Sequence, residues 1–301
     1  MAKKIKLYGF NNLTKTLSFN IYDVCYARTK REKKDYLAYI NEQYNSERLT
    51  GILCHVSKLI GAHVLNIARQ DYIPQGASVV LLIAEESIKE MDPSNNNGES
   101  VVSLPVIHRE SLGKRDSVGQ RDSVGQRDSV VGHLDKSHVT VHTYPESHPD
   151  NEVSTFRVDI DVGTCGMITP LTALDYLISS FDSDIITIDY RVRGFTRDLN
   201  GNKFYLDHDI TSIQNFIDET ILRKYDAIDI NVYQSNYFHT KMMRNEIVLN
   251  DYLFNMDAYE LSPDLRRDIR DKISREMIEI FYGMNVYGTN DKEYDKESEE
   301  E

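Results

Sequence analysis

The chain has 301 residues, 40% of them hydrophobic and 28% charged, with a formal net charge of −13 and a pI near 5.2. That length allows a proper core in one large or two modest domains, while the acidic balance argues against nucleic acid, which needs a clustered basic face. Cys25, Cys54 and Cys165 are too widely spaced for a disulfide framework or a metal-ligand set. The start MAKKIKLYGF lacks the apolar run of a signal peptide, and no apolar stretch approaches the ~18 residues of a membrane span, so a soluble, cytoplasmic protein is expected.

In chain order, a helix is expected within Lys34 to Tyr44, then strands at VLNIA (64–68) and ASVVLLIAE (77–85). A tandem repeat follows, GKRDSV, GQRDSV and GQRDSV at 113–130, inside an expected inserted loop over 87–132. Six-residue units this short and polar cannot stack as a solenoid and read as a solvated loop. Strands are expected at HVTVHTY (138–144) and FRVDIDV (156–162). In the second, Phe156, Val158, Ile160 and Val162 share one face, and Arg157, Asp159 and Asp161 the other.

Leu171, Leu174, Leu177 and Ile178 have helical spacing after Pro170, and DIITIDYRVR (184–193) reads as a strand. A helix over Ile210 to Leu222 and a strand IDINVYQ (228–234) follow. Leu265, Ile269, Ile273, Met277 and Ile280 define a long helix that Ser262 and Pro263 can start. From 288 to 301 the chain is an acidic tail. Clean alternation in the strands predicts an α+β fold: a layered, antiparallel-rich sheet with helices packed on one face, rather than a doubly wound parallel sheet.

The most telling stretch is HLDKSHVTVHTYPES (133–147), followed by TCG (164–166). Ser137 lacks the Gly-x-Ser-x-Gly turn of a hydrolase nucleophile. His138 and His142 share a strand face and could hold a metal, but a third ligand is not evident, and the metal site is left unassigned. On a regular strand Ser137 points away from His142, so direct contact between them requires a bend or bulge near 137. Cys165 lies in GTCGM, where flanking glycines let a ligand come close; a buried cysteine of no chemical role is the plain alternative.

These residues resemble those of S-adenosylmethionine decarboxylase, in the longer bacterial form of its self-processing proenzyme. The matching pieces are KLYGFNNLTKTLSF (6–19), IGAHVLNIARQDYIPQGASV (60–79), HLDKSHVTVHTYPESHP (133–149), TCG (164–166), TIDYRVRGFTRD (187–198) and NVYQSNYFHTKM (231–242). They run in order along nearly the whole chain, and the repeat and the acidic tail fall outside all of them.

The resemblance implies that one domain, 1–301, is cut between Lys136 and Ser137 into a beta chain, 1–136, and an alpha chain, 137–301. Residue 137 becomes a pyruvoyl group, whose ketone forms a Schiff base with the substrate amine and serves as electron sink in place of pyridoxal phosphate. It further implies His142 as proton acceptor in processing, Ser78 as a residue assisting processing, and Cys165 as proton donor to the substrate α-carbon. Tyr72 and Tyr144 would lie against adenine and the sulfonium, and Glu146 would accept from the ribose hydroxyls. Other implications are S-adenosylmethionine as substrate, a product that donates aminopropyl groups for spermidine, activation by Mg2+, and assembly of alpha and beta chains into a higher oligomer. Two rivals stand beside this reading: a pyruvoyl decarboxylase of arginine or ornithine, and a regulatory homologue that never cleaves.

Overall fold

The structure is a computed structural model that describes residues 13–84, 137–149, 152–166, 168–181, 183–197, 201–205, 207 and 209–286. The expected inserted loop and acidic tail, and Lys136, lie outside the described residues.

Thirteen residues, TKTLSFNIYDVCY, form β1 (Thr14–Tyr26). Leu17, Phe19 and Ile21 alternate with Thr16, Ser18 and Asn20, and the three apolar side chains are fully buried. Burial of each contributes about 1.5–3 kcal/mol. Thr29 then caps α1 (Lys30–Gln43): its hydroxyl accepts from the Glu32 N–H at 3.1 Å, and the Glu32 carboxylate accepts from the Thr29 N–H at 2.8 Å. Asn45 caps α2 (Ser46–Leu59), whose Leu49, Ile52, Leu53 and Val56 fall on one buried stripe.

Five strands and a short helix follow: β2 (His63–Asp71), β3 (Ala77–Ala84), β4 (Ser137–Ser147), β5 (Val153–Cys165), α3 (Leu174–Ser180) and β6 (Ile185–Arg193). A small ribbon, β7 (Thr196–Arg197) and β8 (Lys203–Phe204), precedes the one-turn α4 (Glu219–Leu222), β9 (Tyr225–Asp229) and β10 (Tyr237–Arg244). Ser262 and Pro263 start α5 (Pro263–Tyr282), which ends at Gly283 with φ +66°, a left-handed cap.

The main sheet has eight strands in the order β2-β3-β4-β5-β1-β6-β10-β9, and its paired strands run antiparallel. The expected α+β class and antiparallel sheet are therefore found. Its two faces differ. On the first, Leu17, Ile188, Val162, Val139 and Leu81 join one core with residues of α1, α2 and α3. On the second, Ile185, Met243 and Val24 join a separate core with Ile269, Ile273, Met277 and Phe281 of α5. The sequence expectation put helices on one face; the long last helix lies against the other. It covers only the end of the sheet near Tyr22 and Ile185. The remaining second face is lined by Thr140, Ser18, Asp189 and His239, which are partly exposed, and by the exposed Asp161.

Several local expectations change. The helix expected over 210–222 is two short turns, Ile213–Phe216 and α4, because Ser212 and Asp218 each bond a nearby backbone N–H and restart the chain. The strand expected over 228–234 stops at Asp229, since Tyr233–Ser235 turn and Asn236 takes φ +47°.

Candidate active site

Strand β4 carries the motif, and its residues alternate without a bulge. Its register on β3 runs unbroken from Ser78 opposite His142 to Ile83 opposite Ser137. On β5 it runs from His138 opposite Gly163 to Ser147 opposite Ser154. Ser137, Val139, Val141 and Thr143 are buried on the first face, while His138, Thr140, His142, Tyr144 and Glu146 lie on the second. Ser137 is only 7% exposed. The bend that would unite Ser137 with His142 is absent: five residue steps along the strand separate them by roughly 16 Å, and they face opposite ways.

Five of the expected site residues do come together. Tyr72, His142, Tyr144 and Glu146 line one cavity of about 450 Å3, together with Gln75, Thr143 and Pro145. Ser78 sits opposite His142 in the register, and its hydroxyl is 2.8 Å from that of Tyr72. The β2–β3 turn that brings Tyr72 here is fixed at Gly76, where φ is +93° and an added Cβ would meet the Thr143 carbonyl oxygen at 2.7 Å. The Gly76 N–H donates to Asn41 Oδ1 at 2.8 Å, and Gln75 Nε2 donates to the Pro145 carbonyl at 2.5 Å. Tyr144 and Tyr72 are about half exposed, so both rings are open to a ligand. Thr155 Oγ1 donates to Glu146 Oε1 at 3.0 Å, which orients that carboxylate.

The sequence marks Arg157 and Asp159 only as the polar face of a strand, and it does not mark Tyr22. The Arg157 guanidinium lies 5.2 Å from the Tyr144 ring centre and 6.0 Å from that of Tyr22. Asp159 grips it through Nε at 2.7 Å and through Nη2, and this bond holds the guanidinium pKa above its ordinary value. One face of Tyr144 therefore already carries a cation, which shows that the ring accepts one. The signal for this pair was the polar i, i+2 spacing on the alternating strand.

Ser137 and Cys165 lie near each other along the backbone at neighbouring strand ends, although Cys165, paired with Thr14, faces the second side and Ser137 the first. Continuing the register by one residue sets Ser137 beside Thr164, and Cys165 is the next residue along β5. The Cα atoms of 137 and 165 are thus roughly 6 Å apart. Cys165 ends β5 and is partly exposed; Gly166 follows with φ +70°. The His138 ring lies over Gly163, where a Cβ would meet its Cε1 at 2.5 Å. Among the described residues no group of three or more His, Cys, Asp or Glu side chains is close enough to hold a metal.

An antiparallel α+β layer carrying a buried serine at a strand start, a cysteine at a neighbouring strand end and a polar cavity on the other face marks out a candidate catalytic site in an α+β protein. The description "S-adenosylmethionine decarboxylase" matches residues 125–194. The S-adenosylmethionine decarboxylase proenzyme of Clostridium perfringens (strain SM101 / Type A) is 66% identical over 290 residues, covering 95% of this chain and 99% of the relative. That of Hahella chejuensis (strain KCTC 2396) is 56% identical over 286 residues, with 95% and 99% covered. The chain belongs to the S-adenosylmethionine decarboxylase proenzyme family. The solved adenosylmethionine decarboxylase of Aquifex aeolicus VF5 is far more distant: 15% identical with a TM-score of 0.27, covering 61% of this chain and 91% of that one.

Proposed function

We propose that the protein is a self-processing decarboxylase of S-adenosylmethionine, yielding S-adenosylmethioninamine, the aminopropyl donor for spermidine. The observation that supports this reading is the end of the β4–β5 pairing at His138 and Gly163, next to which the buried Ser137 and the partly exposed Cys165 lie at neighbouring strand ends. In processing, Ser137 Oγ bonds to the Lys136 carbonyl carbon while the C–N bond breaks and the hydroxyl proton passes to the departing nitrogen. Loss of the Ser137 α-proton then expels the Lys136 carboxylate from Cβ. Water converts the resulting dehydroalanine to a pyruvoyl group and releases ammonia. The chain divides into 1–136 and 137–301.

A keto group at position 137 supplies the electron sink that decarboxylation needs and that no unmodified side chain provides. The burial of Ser137 suits it, because a reactive carbonyl is protected from water there. Cys165 returns a proton to the substrate α-carbon from the strand end, where its thiol is partly exposed. Tyr72 and Tyr144 receive the adenine ring and the sulfonium, and Glu146 accepts from the ribose hydroxyls. Mg2+ activation gets no protein cage among the described residues, so no step is assigned to it.

The Ser137 side chain faces the first face, so a base that takes its α-proton approaches from elsewhere. His142 is the base this reading requires, with Ser78 beside it. Within one chain roughly 16 Å divides it from Ser137, so a site that uses both draws on two copies. Self-association is therefore part of the proposal. A cytoplasmic location agrees with three free thiols, and among the described residues no helix is long and apolar enough to cross a membrane.

Intact mass and a denaturing gel test the reading. Wild type should resolve into two chains, the larger carrying a keto acyl terminus, and Ser137→Ala should stay whole. CO2 release should be seen with S-adenosylmethionine and not with arginine or ornithine. A wild-type protein that stays continuous would point to the regulatory reading instead.

A further inference from the structure

The residues that share Ser137's row on the first face include a charge that the reaction scheme leaves unused. Thr164 pairs with Lys15 on β1, which in turn pairs with Val192 on β6. The β4–β5 pairing ends at His138 and Gly163, and one residue further along Ser137 falls level with Thr164; Ser137, Thr164 and Lys15 share the first face at 7%, 2% and 1% exposure. Lys15 and Ser137 have Cα atoms roughly 10 Å apart, and the Thr164 side chain lies between them.

Lys15 is held by the Asp207 carboxylate, Oδ2 at 2.7 Å, and the Tyr190 hydroxyl donates to the same oxygen at 2.8 Å. Burial and then Asp207 raise the Tyr190 pKa, so its proton stays on as donor. Asp207 takes φ +59°, a left-handed conformation uncommon for a residue with a side chain. A strained aspartate and a buried tyrosine therefore cooperate to keep a cation in the core. Stability does not explain this, because a buried ion pair is commonly matched or bettered by apolar side chains of similar size. Backbone strain of this kind collects where chemistry needs it.

We propose that Lys15 is a positioning residue for self-cleavage, acting on Ser137 through Thr164. This rests on the reading that the chain splits before Ser137. The Thr164 hydroxyl, whose bond to the Ile168 carbonyl is long at 3.4 Å, is within cross-strand reach of a residue level with it on β4, as Ser137 is. Turned toward Ser137 it orients that hydroxyl for attack, and the Lys15 ammonium behind it favours the negative charge that builds as the hydroxyl proton leaves. In the dry first face such a charge is weakly screened. Lys15, Thr164 and Ser137 belong to one chain, so this role is independent of where His142 comes from.

The test follows the split fraction against time, by denaturing gel and intact mass, for the full chain and its Lys15→Met, Lys15→Arg and Thr164→Val variants. Thermal unfolding of each is measured beside it. We expect Lys15→Met and Thr164→Val to split at least about tenfold more slowly while still folding, and Lys15→Arg to recover much of the rate. Splitting of Lys15→Met at the wild-type rate, or an Arg variant no faster than the Met variant, overturns the proposal. If Lys15→Met does not fold, Thr164→Val decides, since it keeps the shape and removes the hydroxyl; an unchanged rate there overturns it. A wild type that never splits overturns the functional reading itself, which separates the two failures.

Discussion

The separation of Ser137 from His142 can be tested by mixing two defective copies. On the proposed reading a Ser137→Ala chain keeps the base but lacks the attacking hydroxyl, and a His142→Ala chain keeps the hydroxyl but lacks the base. β4 is regular over this span, so the two positions are roughly 16 Å apart on opposite faces, and no side-chain rotation closes that gap. If each site takes Ser137 from one copy and His142 from another, a mixed pair contains one complete site. With equal expression and random two-fold pairing, about half of the His142→Ala chains meet a Ser137→Ala partner, so about a quarter of all chains should split. Distinct tags on a denaturing gel identify which chain is cut, and it should be the His142→Ala chain alone. The reasoning is refuted if wild type splits but the mixture yields no cut chain, or if His142→Ala splits fully on its own.

Other changes probe the two loci and the last helix. Cys165→Ala should split normally yet turn over slowly and lose activity faster, as misplaced protonation consumes the keto group; full activity would remove Cys165 from its role. Gly76→Ala should lose about 2 kcal/mol or more in denaturant unfolding, because φ +93° and the Thr143 carbonyl at 2.7 Å both oppose a Cβ. Substrate binding at Tyr72 should weaken with it, and an unchanged midpoint would contradict the turn geometry. Glu276 on α5 has its pKa raised, first by burial and then by Glu279. Its protonated form suits the fold, so its contribution is present below the ordinary value of 4.5 and is lost as pH rises through the raised value. Glu276→Gln should therefore unfold at a higher temperature than wild type at pH 7, and the gain should vanish on acidification below that value. A gain that stays constant with pH would show another cause.

Much of the fold was legible where one residue's neighbours decide its state. The alternation of 156–162 foretold β5, and Ser262-Pro263 with the apolar stripe from Leu265 foretold α5. Helix α2 was also legible, since Leu49, Ile52, Leu53 and Val56 have i, i+3, i+4, i+7 spacing, but it was not anticipated, and neither were β1 and β10. Thr16, Ser18 and Asn20 give β1 a polar second face, so it shows no continuous apolar run even though it is central to the sheet. The Ile210–Leu222 helix failed for the opposite reason: its apolar spacing was helical, but Ser212 and Asp218 bond the backbone and end each turn early.

The site divides along the same line. That Ser137 and His142 face apart follows from the two-residue period of a strand, and the sequence already carried that tension. What it could not carry is register between segments distant in the chain. Thr164 reaches Lys15 only because β1 slots between β5 and β6, and Asp207 reaches it from a loop beyond β8. A motif lists the groups that can react, whereas the pairing of strands decides which buried charge stands behind them. On β4 the strand alternation puts Ser137 on the buried face that Thr164 and Lys15 share, and the pairing puts His142 beside Ser78 and Asp159 on the other. Two halves of one reaction on opposite faces of one strand are therefore a reason to look for the second half on another copy.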